Sequence, residues 1–383
     1  DEAKGAKLKK LLMFIAALVI LFLIIIVAMK LINSSDSTQA QNEADSRLVL
    51  PPVPAEQPDD TQVPAQDTNS DVKKGDTQLF EQVPIVPENK QQDDFEDMIK
   101  KLKDIAELIV FKHSVFALPF IFVAMIVASK IENGSAWFGF KLLILGTICA
   151  VSARNFAMAF NRYQDEDIDK LNPRTASRPS VDGRIGKGNM QLFIVANALI
   201  FIICAYFVNS LAFWLSFPIL AVLGGYSLFK RFSELAHLVL GLSLGLAPIA
   251  GVVAVSAAIP LWSVLLCLGV TFWVAGFDLL YSLQDIKFDQ ENKLFSIPAI
   301  YGDKATLFLS AIFHALAFIL WLLFAWAAGL GAMAFFGIVV SGVILFFEHR
   351  IVRRDFSKID RAFFTLNGYL GILFFIFVWI SVL

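Results

Sequence analysis

The sequence predicts an all-α membrane protein: about nine transmembrane helices in one bundle, preceded by a separate transmembrane anchor and a disordered linker. Three observations lead there. Hydrophobic residues make up 57% of the 383 and charged residues only 17%, whereas a soluble domain carries roughly 25% charge and under half apolar residues. Apolar runs of about 18–22 residues, long enough to cross the hydrocarbon core, recur along most of the chain. Basic residues collect in alternate loops, as in a multi-pass protein, without the arginine and aromatic pattern of a nucleic-acid surface.

Three segments follow in order. Residues 1–33 are an anchor: Lys4, Lys7, Lys9 and Lys10 lead into an apolar stretch that is long for a signal-peptide core, and no small-x-small cleavage site follows it. Residues 34–97 hold half of the 14 prolines, much Asp, Gln and Ser, and few aromatics; such a stretch buries too little apolar surface to offset its ordering entropy and reads as a disordered acidic linker. Residues 98–383 are the multi-span domain. It opens with MIKKLKDIAELIVFKHS, an interfacial helix by its apolar spacing. Spans are expected near 114–130, 138–160, 190–208, 212–229, 236–256, 261–282, 305–327, 331–347 and 364–383. Pro119, Pro218 and Pro248 fall inside spans, where neighbouring helices satisfy the freed carbonyls.

The loops after the second, fourth, sixth and eighth spans are the basic ones, so Met98 is expected inside and Leu383 outside. The same rule applied to the anchor puts the linker outside, which conflicts with Met98 inside. A join of two units near Met98, with Met98 the natural start of the enzyme, resolves the conflict. Protection of the linker from protease in inside-closed vesicles would contradict that anchor orientation.

Two polar stretches interrupt the apolar helices. In SARNFAMAFNRYQDEDIDKLNPRTASRP, Asn161, Asp165 and Asp169 are spaced i, i+4, i+8, which on a helix lines one face over about 12 Å. In GFDLLYSLQDIKFDQENKLFS, Asp278, Asp285 and Asp289 are seven and four residues apart and return to one face likewise. Both rows fall at the same membrane edge, and carboxylates there are expensive and default to function. Acidic rows without histidine or thiol suit hard cations, and Mg²⁺ bridges carboxylates to substrate phosphates. Arg174, Arg178, Lys230 and Arg231 lie in adjacent loops and suit diphosphate oxygens. Glu166, Asp167 and Glu291 read as solvated. His113, His237 and His314 read as isolated packing or interfacial residues, and Cys149, Cys204 and Cys267 as small hydrophobes.

N-x-x-x-D-x-x-x-D, then N-P-R-T-x-x-R-P, then Tyr226-x-x-x-Lys230-Arg231, then D-x-x-x-D with an upstream Asp, resembles the UbiA superfamily of intramembrane prenyltransferases over residues 98–383. The pair Asn161-Arg162 departs from the Asn-Asp of many members, so the role of that extra acid does not carry over. The resemblance implies a bundle whose central cavity opens sideways to lipid. It implies two Mg²⁺ ions, one on Asn161, Asp165 and Asp169 and one on Asp285 and Asp289, with Asp278 in the pocket wall and Arg174, Arg178 and Lys230 on the diphosphate. Arg154 and Asn155, just before the first motif, look most like bacterial 4-hydroxybenzoate polyprenyltransferases, and are similar also to futalosine-route menaquinone enzymes acting on a dihydroxynaphthoate. The implied reaction joins a polyprenyl diphosphate to an aromatic acid in quinone biosynthesis. It would run at the cytoplasmic side of a bacterial inner membrane: diphosphate departs, the ring attacks the allylic cation, and a ring proton is lost to a base that the motifs do not name. Other acceptors such as haem are the alternative. A CDP-alcohol phosphotransferase lacks its Asp-Gly-x-x-Ala-Arg signature here, and a transporter is disfavoured by acids at one edge with no internal repeat.

Overall fold

The computed structural model describes residues 96, 99–101, 103–109, 114–356, 359 and 362–383. The expected anchor, most of the linker, Met98 and His113 lie outside the described residues. The described residues from 101 onward belong to one compact unit; of the second unit, residues 21–100, only Glu96, Ile99 and Lys100 are described, all helical.

Described residues 114–383 are helical with short connections and no strand. The long helices are α1 (Ser114–Asn133), α2 (Phe140–Gln164), α4 (Lys187–Val208), α5 (Ser210–Gly225), α6 (Ala236–Ser256), α7 (Leu261–Ser282), α9 (Ile297–Ala327), α10 (Ala332–Arg354) and α11 (Asn367–Val382). Two short helices, α3 (Glu166–Leu171) and α8 (Ile286–Glu291), follow α2 and α7 and carry the acidic motifs. Eight helices among the described residues are long and apolar enough to cross a membrane; α1 stands where the first span was expected and is not one of the eight. The expected ends for 236–256 and 261–282 coincide with α6 and α7. The expected span at 305 begins instead at Ile297, because a helical turn precedes a break at Gly302. Gly302 has φ +84, a backbone that side-chain-bearing residues rarely adopt.

The core is centred on α7, where 17 of 22 residues are buried. Small residues let its neighbours approach, as in membrane bundles, where packing rather than water exclusion joins helices. A Cβ on Gly241 would lie 2.2 Å from the Thr271 carbonyl oxygen, and one on Gly245 2.1 Å from Thr271 Oγ1, so α6 lies directly on α7. On the other side, Cβ atoms at Gly269 and Gly276 would strike the Trp321 and His314 rings of α9. Phe120 of α1, Trp273 of α7, Trp321 of α9 and Phe374 of α11 form one aromatic cluster with centroids 5.1–6.1 Å apart, within the favourable range.

This half also contains polar groups that hydropathy hides. Trp273 Nε1 donates to Asn367 Oδ1 at 2.8 Å, and Asn367 Nδ2 donates to the buried Glu348 at 2.7 Å. His314 is not isolated: its ring nitrogens lie 2.9 Å from His349 Nε2 and 3.2 Å from the Trp273 carbonyl. Helix spacing at 3.6 residues per turn marks a polar residue as inward, but its partner on another helix is set by packing.

The loop after α3 is pinned by Arg184, which donates to Asp182, Asp104 and Glu107 at 2.7–3.0 Å and so ties the 103–108 helical turn to the first motif. Gly241→Ala is expected to separate α6 from α7 and destabilise the bundle by about 1–3 kcal/mol. Gly188→Ala, with open space around the new methyl, should leave the melting temperature of the purified protein unchanged. Equal melting of both variants would contradict the packing described.

Candidate active site

Each acidic motif straddles a helix break. Asp165, between α2 and α3, has φ −95 and ψ 5; Asp285, between α7 and α8, has φ −100 and ψ 5. Neither row is therefore one straight helical face. The helical hydrogen bonds from Asp165 N–H to the Asn161 carbonyl and from Asp169 N–H to the Asp165 carbonyl still run across the first break. The middle carboxylate of each motif thus leaves the helix surface while its neighbours stay on it, in the sparsely allowed region that active-site residues favour.

Asp165 is 2% exposed and Asp169 5%. A carboxylate so buried requires counter-charge, and every one of the predicted cations except Arg154 supplies some to an acid. Lys230 Nζ lies 2.7 Å from Asp165 Oδ2, which also accepts from Asn161 Nδ2 at 2.8 Å. Arg178 Nη1 donates to Asp169 Oδ2 at 2.6 Å. Arg174 reaches across from the first motif's loop to the second motif: its Nε and Nη2 donate to both oxygens of Asp285 at 3.1 and 2.6 Å, and its Nη1 to the Tyr281 hydroxyl. Asp289 accepts from Ser296 Oγ at 2.6 Å. The two motifs are therefore joined side chain to side chain, as their placement at one membrane edge requires.

Arg231 has a different position from its neighbour. It forks onto Asp167 at 2.7 and 2.9 Å and donates to the Gln164 carbonyl, while remaining 3.8 Å from Asp165. Asp167, expected to be merely solvated, is the anchor for this loop, and the Arg231 guanidinium holds its carboxyl down at about 2. Asp165 behaves oppositely: burial pushes its carboxyl above the ordinary aspartate value, against the pull of Lys230. Its Oδ1 has no hydrogen-bond partner.

Below these acids lies a cavity of 540 Å³ between α2, α5, α6 and α7. Arg154, Asn161, Arg162, Arg178, Tyr226, Asp278 and Tyr281 line its polar part, and Met125, Phe201, Leu223, Leu244 and Val274 are among its apolar walls. Asp278 is held by His237, whose Nδ1 lies 2.7 Å from Oδ2, so His237 is a partner of the site and not the isolated packing residue its surroundings imply. His237 Nε2 is buried without a partner. Asn155 is not brought to the cavity: its amide donates to Asn197 Oδ1 of α4 at 3.1 Å. Arg154 lines the cavity and has no ion-pair partner among the described residues.

Asn172 opens the N-P-R-T stretch, and no spacing in the sequence gives it a role. Asn172 is buried, donates to Asp285 Oδ1 at 3.3 Å and accepts the Arg174 backbone N–H at 3.0 Å. Arg162, noted only as a departure from pattern, is buried and donates to Asn161 Oδ1 at 3.2 Å. His237 and Ser296 lie seven or more residues from any motif acid that they touch, and no spacing rule connects them.

Among the described residues, no group of three or more His, Cys, Asp or Glu side chains is arranged to hold a metal ion. The donors nevertheless fit a hard cation. They are all oxygens, one buried carboxylate oxygen is unpartnered, and the positive charges opposite the acids come from long, partly exposed Lys and Arg side chains.

An all-α membrane bundle with paired acids and bases above a mostly apolar cavity defines an intramembrane enzyme acting on an anionic amphiphile. Residues 117–379 match the UbiA prenyltransferase family. The chain belongs to that family and is an enzyme of it. It is 28% identical over 244 residues to a 4-hydroxybenzoate octaprenyltransferase of Yersinia enterocolitica, covering 63% of this chain and 84% of that one. A Yersinia pseudotuberculosis protein of the same name is 28% identical over 63% and 83%. Among solved structures, an apo UbiA homologue from Aeropyrum pernix K1 superposes with TM-score 0.64 at 33% identity, over 71% of this chain and 98% of that one. A UbiA homologue from Archaeoglobus fulgidus bound to GPP and Mg²⁺ shares the fold, with TM-score 0.56 at 20% identity over 73% and 99%.

Lys230→Met strands a buried carboxylate, an error costing about 3 kcal/mol, less what protonation of Asp165 recovers. Because its folded value is raised, Asp165 binds more protons folded than unfolded. The loss should therefore be largest at pH values above its folded value and shrink as pH falls through it. Adding Asp165→Asn should restore most of the melting temperature. A double variant as unstable as Lys230→Met alone would contradict the pairing.

Proposed function

We propose that this enzyme transfers a polyprenyl group from its diphosphate to a ring carbon of an aromatic acid, 4-hydroxybenzoate or a dihydroxynaphthoate, in quinone biosynthesis. One observation carries the reading: cations stand in two places, at the acidic motifs above one cavity, where Arg178 also lines it, and in the cavity wall. Lys230, Arg174 and Arg178 stand at the acidic motifs, and Arg154 stands apart in the cavity wall. Two anionic substrates joined through an apolar space account for both. The names of the Yersinia relatives agree with an aromatic acid as acceptor.

The diphosphate would lie at the acidic motifs, with Arg174 and Arg178 released from their carboxylates to bind its oxygens and Lys230 beside them. Asn161, Asp165 and Asp169 would hold one Mg²⁺, and Asp285 and Asp289 a second. The Archaeoglobus homologue bound to GPP and Mg²⁺ supports that ion. When bound, such ions neutralise the departing diphosphate. The apolar walls exclude water from the allylic carbon, which would otherwise be hydrolysed. Arg154 would take the acceptor carboxylate and so direct the ring into the cavity. Asp278, aimed by the His237 Nδ1 hydrogen bond at Oδ2, presents Oδ1 as the acceptor of the ring proton. The C–H bonding pair then returns to the ring and restores aromaticity. The basic loops at the acidic motifs support a site on the cytoplasmic side of a bacterial inner membrane.

Membranes holding the full chain, Mg²⁺ and a long-chain prenyl diphosphate should convert 4-hydroxybenzoate or 1,4-dihydroxy-6-naphthoate to a prenylated product seen by mass spectrometry. Asp165→Ala should abolish it. Arg154→Ala should raise the acceptor KM by about tenfold or more, with the diphosphate KM unchanged, since a charge-assisted bond to one substrate is lost. Transfer to neither acid with diphosphate bound would redirect the proposal to another acceptor such as haem. Failure to bind diphosphate would overturn it.

A further inference from the structure

A second large concavity lies away from the catalytic cavity, on the outer side of α9 and α10. It encloses 750 Å³ and is lined by Phe318 and His314 of α9 and by one stripe of α10. That stripe runs Val339, Val343, Phe346, Arg350 and Arg353, with Arg354 beside it. The spacing alternates four and three residues, so the five positions share one helical face. Val339, Val343 and Phe346 are 49–63% exposed, which is what a face open to lipid requires. The floor is fixed by close contact: a Cβ on Gly342 would lie 2.9 Å from the Phe318 ring.

The axial order of this face is apolar first and cationic last. From Val339 to Arg350 is 11 residues, or about 16 Å at 1.5 Å per residue. Half of a roughly 30 Å hydrocarbon core is about 15 Å. The apolar trough therefore matches one leaflet, and the arginines fall at its headgroup level on the basic, cytoplasmic side. Arg350, Arg353 and Arg354 are exposed and have no ion pair among the described residues. They differ in this from Arg174, Arg178 and Arg231, which are committed to carboxylates.

The neighbouring histidines add a directional group. The Trp273 carbonyl can only accept, so His314 Nε2 carries the proton and His314 Nδ1 accepts from His349 Nε2–H. His349 Nδ1 is left as a lone pair, buried and without a partner. Three guanidiniums with no ion pair among the described residues, at the head of an acyl-length trough, call for a ligand with an anionic phosphate and a hydrocarbon tail. We propose that the α9–α10 groove binds one anionic phospholipid of the cytoplasmic leaflet, with its tail along Val339, Val343 and Phe346 and its phosphate on Arg350, Arg353 and Arg354. Basic pockets between transmembrane helices recognise lipid headgroups through this pairing. The site is independent of the prenyl-transfer reaction.

The test is native mass spectrometry of the detergent-purified full chain, titrated separately with phosphatidylglycerol and phosphatidylcholine. Wild type should retain one phosphatidylglycerol in preference to phosphatidylcholine. The triple variant Arg350→Gln, Arg353→Gln, Arg354→Gln should weaken phosphatidylglycerol binding by at least about tenfold and remove the preference. Val343→Trp, which fills the trough and leaves all three charges in place, should displace the same lipid from a protein with unchanged melting temperature. Equal retention of both lipids by wild type would overturn the proposal. Undiminished phosphatidylglycerol on either variant would do so too, as would displacement of that lipid by farnesyl diphosphate, which would make the groove a substrate site.

Discussion

The site depends on one constraint: carboxylates placed at the ends of apolar helices cannot remain buried without counter-charge. Asp165 and Asp169 are almost wholly enclosed, and the cost of enclosing an unpaired ion exceeds what any one packing contact returns. Lys230, Arg178 and Arg174 meet that demand. In doing so they fix the short α3 and α8 helices, the turn Tyr226–Arg231 and the loop around Asn172 against one another. Under the proposed function, the same groups that neutralise the acids in this state would be the groups that bind a diphosphate. A metal arriving with that diphosphate would take over the carboxylates and leave the cations to the phosphate oxygens. Exchange of partners, rather than exposure of bare charge, would then accompany substrate entry.

The membrane class, the order of the spans and both motifs are legible in the sequence because each depends on local pattern. Hydropathy over about twenty residues finds a helix that crosses lipid, and α6 and α7 end where it says. The spacings of Asn161, Asp165 and Asp169 and of Asp278, Asp285 and Asp289 identify the acids. They do not show the breaks: at Asp165 a bend of one residue leaves the i, i+4 hydrogen bonds intact, and at Asp285 a single tighter turn, Leu283–Asp285, joins two helices.

Long-range pairs are the other part that sequence does not show. His237 to Asp278, Arg174 to Asp285 and Asn155 to Asn197 span 41, 111 and 42 residues. The first exists because Gly241 lets α6 lie directly on α7; the other two depend likewise on packing between distant segments that no spacing encodes. Arg231 and Lys230 adjoin in sequence, yet the turn that carries them sends one to Asp167 and the other to Asp165. Residue type predicted a cation at both positions; only the backbone decides which acid each one meets.

The most direct test of this exchange is the affinity of the purified chain for geranyl diphosphate, measured by calorimetry across a series of Mg²⁺ concentrations. The account predicts weak binding without Mg²⁺, because Lys230, Arg174 and Arg178 stay on their carboxylates, and progressively tighter binding as Mg²⁺ rises. Equally tight binding with and without the ion would contradict it, since the cations would then be free for the diphosphate from the start.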